Sequence, residues 1–202
     1  MIDQRDAAAV AAQLGREPRG LRAVAHRCPC GLPDVVETAP RLSDGSPFPT
    51  LFYLTCPRAA SAIGTLEASG LMREMTGRLE SDPELAEAYA SAHQDYLDRR
   101  DAAARAQDVE PLPAGTQSSG GMPHRVKCLH ALVAHELAAP GANPFGREAL
   151  DALPDWWRAG RCVTLERSSL TECQVSQEAV MIAGARTGGH VRDGGTSREE
   201  SE

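Results

Sequence analysis

The sequence predicts an α+β protein in which a small early antiparallel sheet is packed by several helices and a disordered C-terminal tail follows. Three observations predict it. Short runs of branched and aromatic residues, bounded by turn chemistry, are confined to the stretch from Leu21 to Thr55. From Pro57 to Trp157 apolar residues recur at helical spacing, and after Leu165 the chain turns polar and rich in glycine and serine. Strands first and helices afterwards is the order of an α+β fold, not of alternating strand and helix units.

Each element follows from local chemistry. Asp3 can cap a first helix that runs to Leu14, where Gly15 supplies the stop. The apolar run Leu21 to Ala25 predicts a strand, Val35-Val36 marks a second, and Thr50 to Thr55 marks a third, entered through Pro49 after the turn residues Ser43 to Pro47. Ala59, Ala62, Ile63 and Leu66 predict a helix that starts at Pro57 and closes at Gly70. Ser81-Asp82-Pro83-Glu84 is a helix start, and the stripe Leu85, Tyr89, Ala92 and Tyr96 carries that helix to about Arg100 or beyond. Prolines and polar breakers between Gln107 and Gly121 predict a loop or lid. A helix is expected over 124–138, and Asn143-Pro144 opens another that runs through Trp156-Trp157. Residues 1–165 are read as a single globular domain and 166–202 as a mostly disordered tail.

A net charge of -7 argues against a broad nucleic-acid surface. No stretch has the roughly 18 consecutive apolar residues of a membrane span. Met1 to Leu14 mixes acids and bases through an alanine run, so no export signal is expected and the protein is read as cytoplasmic. In a reducing compartment its six cysteines read as metal ligands, reactive thiols or buried small side chains, not as disulfides.

The densest chemical signal is His26-Arg27-Cys28-Pro29-Cys30-Gly31, followed by Thr55-Cys56-Pro57, by Lys127-Cys128-Leu129-His130 and by His135. Three segments brought together can supply the four ligands of a tetrahedral metal. Cys28, Cys56 and Cys128 are the expected ligands, with His135 or Cys30 as the fourth. The expected metal is zinc, with an iron-sulfur cluster as the alternative, since a cysteine followed by proline also occurs at such clusters. Within the helix expected over 124–138, His130 falls on the opposite side from Cys128 and His135 on the same side about two turns later. Three thiolates would neutralise zinc strongly, so a closed or nearly closed site is expected. The competing reading is a set of buried core thiols.

Arg16, Arg19, Arg27 and Lys127 form a second constellation, because guanidinium forks match phosphate or carboxylate oxygens. They predict a small anionic ligand. An enzyme using this anion site would act on a phosphorylated or carboxylated small molecule, with Cys128 or His130 as the reacting group.

Several strings together resemble a bacterial family known as domain of unknown function 501. They are Leu14-Gly15-Arg16 with Pro18-Arg19-Gly20, Arg27-Cys28-Pro29, Pro47-Phe48-Pro49-Thr50-Leu51, Leu54-Thr55-Cys56-Pro57, Gly120-Gly121-Met122-Pro123, the run from Arg125 to His135, and Asn143-Pro144-Phe145-Gly146. The resemblance covers about residues 13–150. It implies that cysteines like Cys28, Cys56 and Cys128 recur in the family, whereas tyrosine can stand at the position of Cys30. The family's genes often lie near those for a septum-formation initiator and an exopolyphosphatase. That proximity implies a link to division or phosphate metabolism, and with it an interaction module as a third reading.

Overall fold

The computed structural model describes residues 2–165, so the expectation of a disordered tail over 166–202 lies outside the described residues. Within them the order is α1 (Gln4–Leu14), β1 (Leu21–Arg27), β2 (Pro33–Thr38), β3 (Phe52–Leu54), α2 (Pro57–Ala68), α3 (Leu71–Ser81), α4 (Pro83–Arg105), α5 (Leu129–Ala138) and α6 (Pro144–Ala152). Asp3 accepts from the Asp6 amide at the start of α1, and Gly15 ends it in the left-handed region.

The three strands form an antiparallel meander in chain order, with Val24 opposite Val36 and Val36 opposite Tyr53. This is the α+β fold that the sequence predicts. The third strand is shorter than expected because the Leu51 amide is tied outside the sheet. The Leu51 amide donates to the Tyr96 hydroxyl at 2.6 Å, and its carbonyl accepts from the Thr38 amide. A core built on Val35, Leu51 and Phe52 from the sheet side, Tyr89 and Tyr96 from α4, Leu132 from α5 and Phe145 from α6 joins sheet to helices.

Three boundaries differ from the sequence expectation. Leu71–Ser81 forms a separate helix, α3, because Gly70 adopts a left-handed φ of 93° that turns the chain directly out of α2. Residues 124–128 are not helical. The Lys127 amide bonds back to the Gly120 carbonyl and the Val126 amide to Thr76 Oγ1, which holds this stretch as a packed loop. The last helix stops at Ala152, not at the tryptophans, where Leu153 turns extended ahead of Pro154. Arg100, buried in the long helix α4, donates to the carbonyls of Thr116 and Gln117 and so fastens the loop over 107–121 to the core.

Candidate metal centre

Helix α5 cannot begin before Leu129, because Cys128 has the extended dihedrals φ -154° and ψ 109°. Its first amides need partners from outside the helix. One partner comes from α2: Glu67 Oε1 accepts from the Leu129 amide at 2.6 Å. The same oxygen lies 3.1 Å from His130 Nδ1, while His130 Nε2 lies 3.1 Å from the Ala60 carbonyl. The ring is therefore held from both sides by the two ends of one α2 segment.

The Cys128 thiol completes the group. Among the described residues, Glu67, Cys128 and His130 form the one set of three or more His, Cys, Asp and Glu donors lying within 4.8 Å of one another, and they could hold a metal ion. Contact with the Cys128 thiol, then with the Glu67 carboxylate, pushes the His130 imidazolium up to about 9. The fold stabilises a positive charge at this spot. Cys128 and His130 also line a cleft of about 610 Å³ between the end of α1, β3 and the starts of α2 and α5.

The other predicted ligands lie elsewhere. Cys28 is buried at the end of β1 with the Cys30 thiol against it, and burial pushes it up to about 12. Cys56 is buried beside the Cys162 thiol, and burial pushes it up to about 11. His135 is wholly buried and stacks on Phe52 at 5.9 Å. Its Nε2 lies 2.9 Å from Asp95 Oδ2 and its Nδ1 lies 3.3 Å from Asn143 Nδ2, which suits a neutral core histidine; burial lowers its pKa. Thus Cys128 meets His130, not His135. The helical geometry that set His130 apart does not apply, because Cys128 precedes the helix. Glu67 carries no local spacing signal, being 61 residues from Cys128.

The anion constellation divides in three. Arg16 and Arg19 share a cleft of about 340 Å³ with Leu14 and Tyr53. Arg27 makes a two-pronged pair with Asp6 of α1, Nη1 to Oδ1 at 2.8 Å and Nη2 to Oδ2, and that pairing raises its pKa. Lys127 lines a third cleft with Gly120, Gly121, His124 and Arg125. Among the described residues no helix is long and apolar enough to cross a membrane.

Comparison with curated proteins finds no match, and comparison with solved structures finds none either. The model of the family described as "Protein of unknown function (DUF501)" matches residues 24–151, a stretch that includes β2, β3, the Glu67–Cys128–His130 group and all but the last residue of α6, and the chain belongs to that family.

Proposed function

We propose that this is a metal-binding protein that holds one zinc ion on Glu67, Cys128 and His130, facing the adjacent cleft. The observation that carries the reading is the state of His130. A metal-bound histidine donates its second ring N–H to a carbonyl or carboxylate, which fixes the tautomer and aims the free nitrogen at the ion. His130 Nε2 sits on the Ala60 carbonyl, leaving Nδ1 toward Glu67. The proton that Nδ1 otherwise carries occupies the place of a cation between a carboxylate and a thiol.

One sulfur, one nitrogen and one oxygen suit zinc and not an iron-sulfur cluster, which is held mainly by thiolates. Three protein ligands are the number found where zinc keeps a position for water or substrate, so this donor set favours an open site over the closed one expected of three cysteines. When bound, such an ion supplies Lewis acidity and a water of lowered pKa.

The test is elemental analysis of protein purified without a metal-binding tag. About one zinc per chain is expected, lost in Cys128→Ser and in His130→Gln and kept in Cys28→Ser and Cys56→Ser. Absence of metal, or loading that survives Cys128→Ser, would overturn the proposal.

One observation favours a second reading, with Cys128 as a nucleophile: its thiol lies beside an imidazolium at a helix N-terminus, surroundings that activate cysteines. The geometry supports it less well. A base relay needs one ring nitrogen for the thiol and the other for its carboxylate, and here the second nitrogen is held by Ala60. Rapid alkylation of Cys128 well below the pH at which free cysteine reacts would favour this reading.

A further inference from the structure

The cleft that Lys127 lines is left unused by the metal reading. It holds about 510 Å³ and is built from one folded-back stretch of chain, 117–127. The Lys127 amide donates to the Gly120 carbonyl at 2.7 Å and the Arg125 amide to the Gly121 carbonyl at 3.2 Å, which lays the two glycines beside the two cationic residues. That approach leaves no room for a side chain. A Cβ on Gly121, whose φ is 95°, would sit 2.6 Å from the Arg125 carbonyl oxygen and 2.8 Å from Lys127 Cβ. Among the described residues the amides of Ser119, Gly120 and Gly121 find no backbone carbonyl, so bare main-chain donors stand in the wall of the cleft.

The same wall concentrates positive charge in a chain whose net charge is -7. His124, Arg125 and Lys127 are exposed, no aspartate or glutamate lines the cleft, and among the described residues no carboxylate lies within ion-pair distance of any of the three. Beneath the loop Arg100, 2% exposed, donates to the carbonyls of Thr116 and Gln117 and likewise has no carboxylate partner there. The excess is felt at His93, whose Nδ1 lies 2.7 Å from Ser118 Oγ: burial, then the charges of His124 and Arg100, lower its pKa. The predicted arginines lack this setting. Arg27 is taken up by Asp6, and the cleft with Arg16 and Arg19 is lined mostly by apolar side chains.

A guanidinium, an ammonium and main-chain amides with no competing carboxylate suit an oxyanion, and a tetrahedral one uses more of these donors than a planar carboxylate does. We propose that the cleft over 117–127 binds a phosphoryl group, held by Arg125, Lys127 and the amides of Ser119 to Gly121, as inorganic phosphate or as the end of a phosphate monoester. The cleft has the volume of a small-molecule pocket and exceeds what one phosphate fills, which favours the ester. The inference goes beyond the metal reading and does not depend on it.

Inorganic phosphate, phenyl phosphate and acetate are titrated into the full-length protein as purified and again after metal stripping, with binding read by calorimetry and by amide NMR. Both phosphates are expected to bind both forms, the ester more tightly, and acetate about tenfold more weakly or less. The amide resonances of Ser119, Gly120 and Gly121 are expected to move with saturation. Arg125→Gln and Lys127→Gln are each expected to weaken phenyl phosphate roughly tenfold at unchanged Tm, whereas Arg16→Gln and Arg19→Gln leave it alone. Phosphate bound as tightly as the ester would keep the inference and name the free ion as the ligand. Failure of both phosphates to bind, acetate binding as tightly, affinity that survives Arg125→Gln and Lys127→Gln together, or the three amides unmoved at saturation would each overturn it. Binding that disappears on stripping would put the phosphate on the metal and overturn it too. Phosphate binding by a protein that takes up no zinc removes the metal reading alone.

Discussion

His130 and His135 lie half a helix apart and answer pH in opposite senses. The folded His130 ring holds its proton up to about pH 9, above the ordinary 6.5, so its contribution to stability is fully present below 6.5 and is lost as pH rises through about 9. His135 is shifted downward by burial, so its contribution is present above 6.5 and is lost as pH falls through its lower folded value. Ring-proton NMR of metal-free protein is expected to show one histidine still charged at pH 8 and another that titrates below the ordinary 6.5, assigned to His130 and His135 by substitution. A His130 that titrates near 6.5 would mean that Glu67 and Cys128 do not hold it. Since zinc must displace the Nδ1 proton, its affinity is expected to rise with pH until about pH 9. The sequence reading named Cys128 as a ligand and weighed both histidines. It paired the wrong ring with the thiol because a helical wheel was extended across Cys128, whose backbone is a strand-like cap.

Elements were legible wherever local chemistry punctuates them. Asp3, Gly15, Pro57, Asp82 with Pro83, and Asn143 with Pro144 each bound the helix that the sequence assigns to them. The start of α5 was not legible, because its cap is a side chain on another helix. Removing that cap with Glu67→Ala leaves the Leu129 amide without its partner, and a loss of about 1–2 kcal/mol by denaturant unfolding is expected. No loss of stability would mean that Glu67 does not hold α5. The α5 to α6 packing offers a sharper test. A Cβ on Gly146 would sit 2.3 Å from the Leu132 carbonyl oxygen and 2.8 Å from Glu136 Cβ, so Gly146→Ala is expected to cost at least about 1–3 kcal/mol although alanine favours helices. Unchanged stability would mean that the two helices have room to part.

Across the whole molecule, the sequence grouped residues by chemical kind and the fold grouped them by position. Thiols far apart in sequence were read as one site, yet they end in different places: Cys28 with Cys30, Cys56 with Cys162, and Cys128 with a histidine and a carboxylate. Arg16 and Arg19 stay together because only a short turn separates them, while Arg27 is drawn to Asp6 by the way α1 lies over the strand end. Long-range sorting of this kind depends on which faces of the sheet and helices are covered, and spacing does not encode it. The elements and their core form a compact unit that closes by Leu165. A chain ending at Leu165 is therefore expected to match the full chain in metal content and, within a few degrees, in Tm, checked by thermal melts and metal analysis of the two lengths. Loss of either would place part of the working molecule in 166–202.

The shared oxygen of Glu67 gives the molecule a gauge that needs no dye or label. Glu67 Oε1 faces both the first amide of α5 and the ring of His130. Whatever draws on that oxygen from the cleft side must change how firmly it holds the Leu129 N–H. Deuterium exchange at this single backbone position should thus follow occupancy of the centre, quickening or slowing as the carboxylate is given up or shared. Exchange at amides deep in α4 would stay constant throughout and serve as the internal clock.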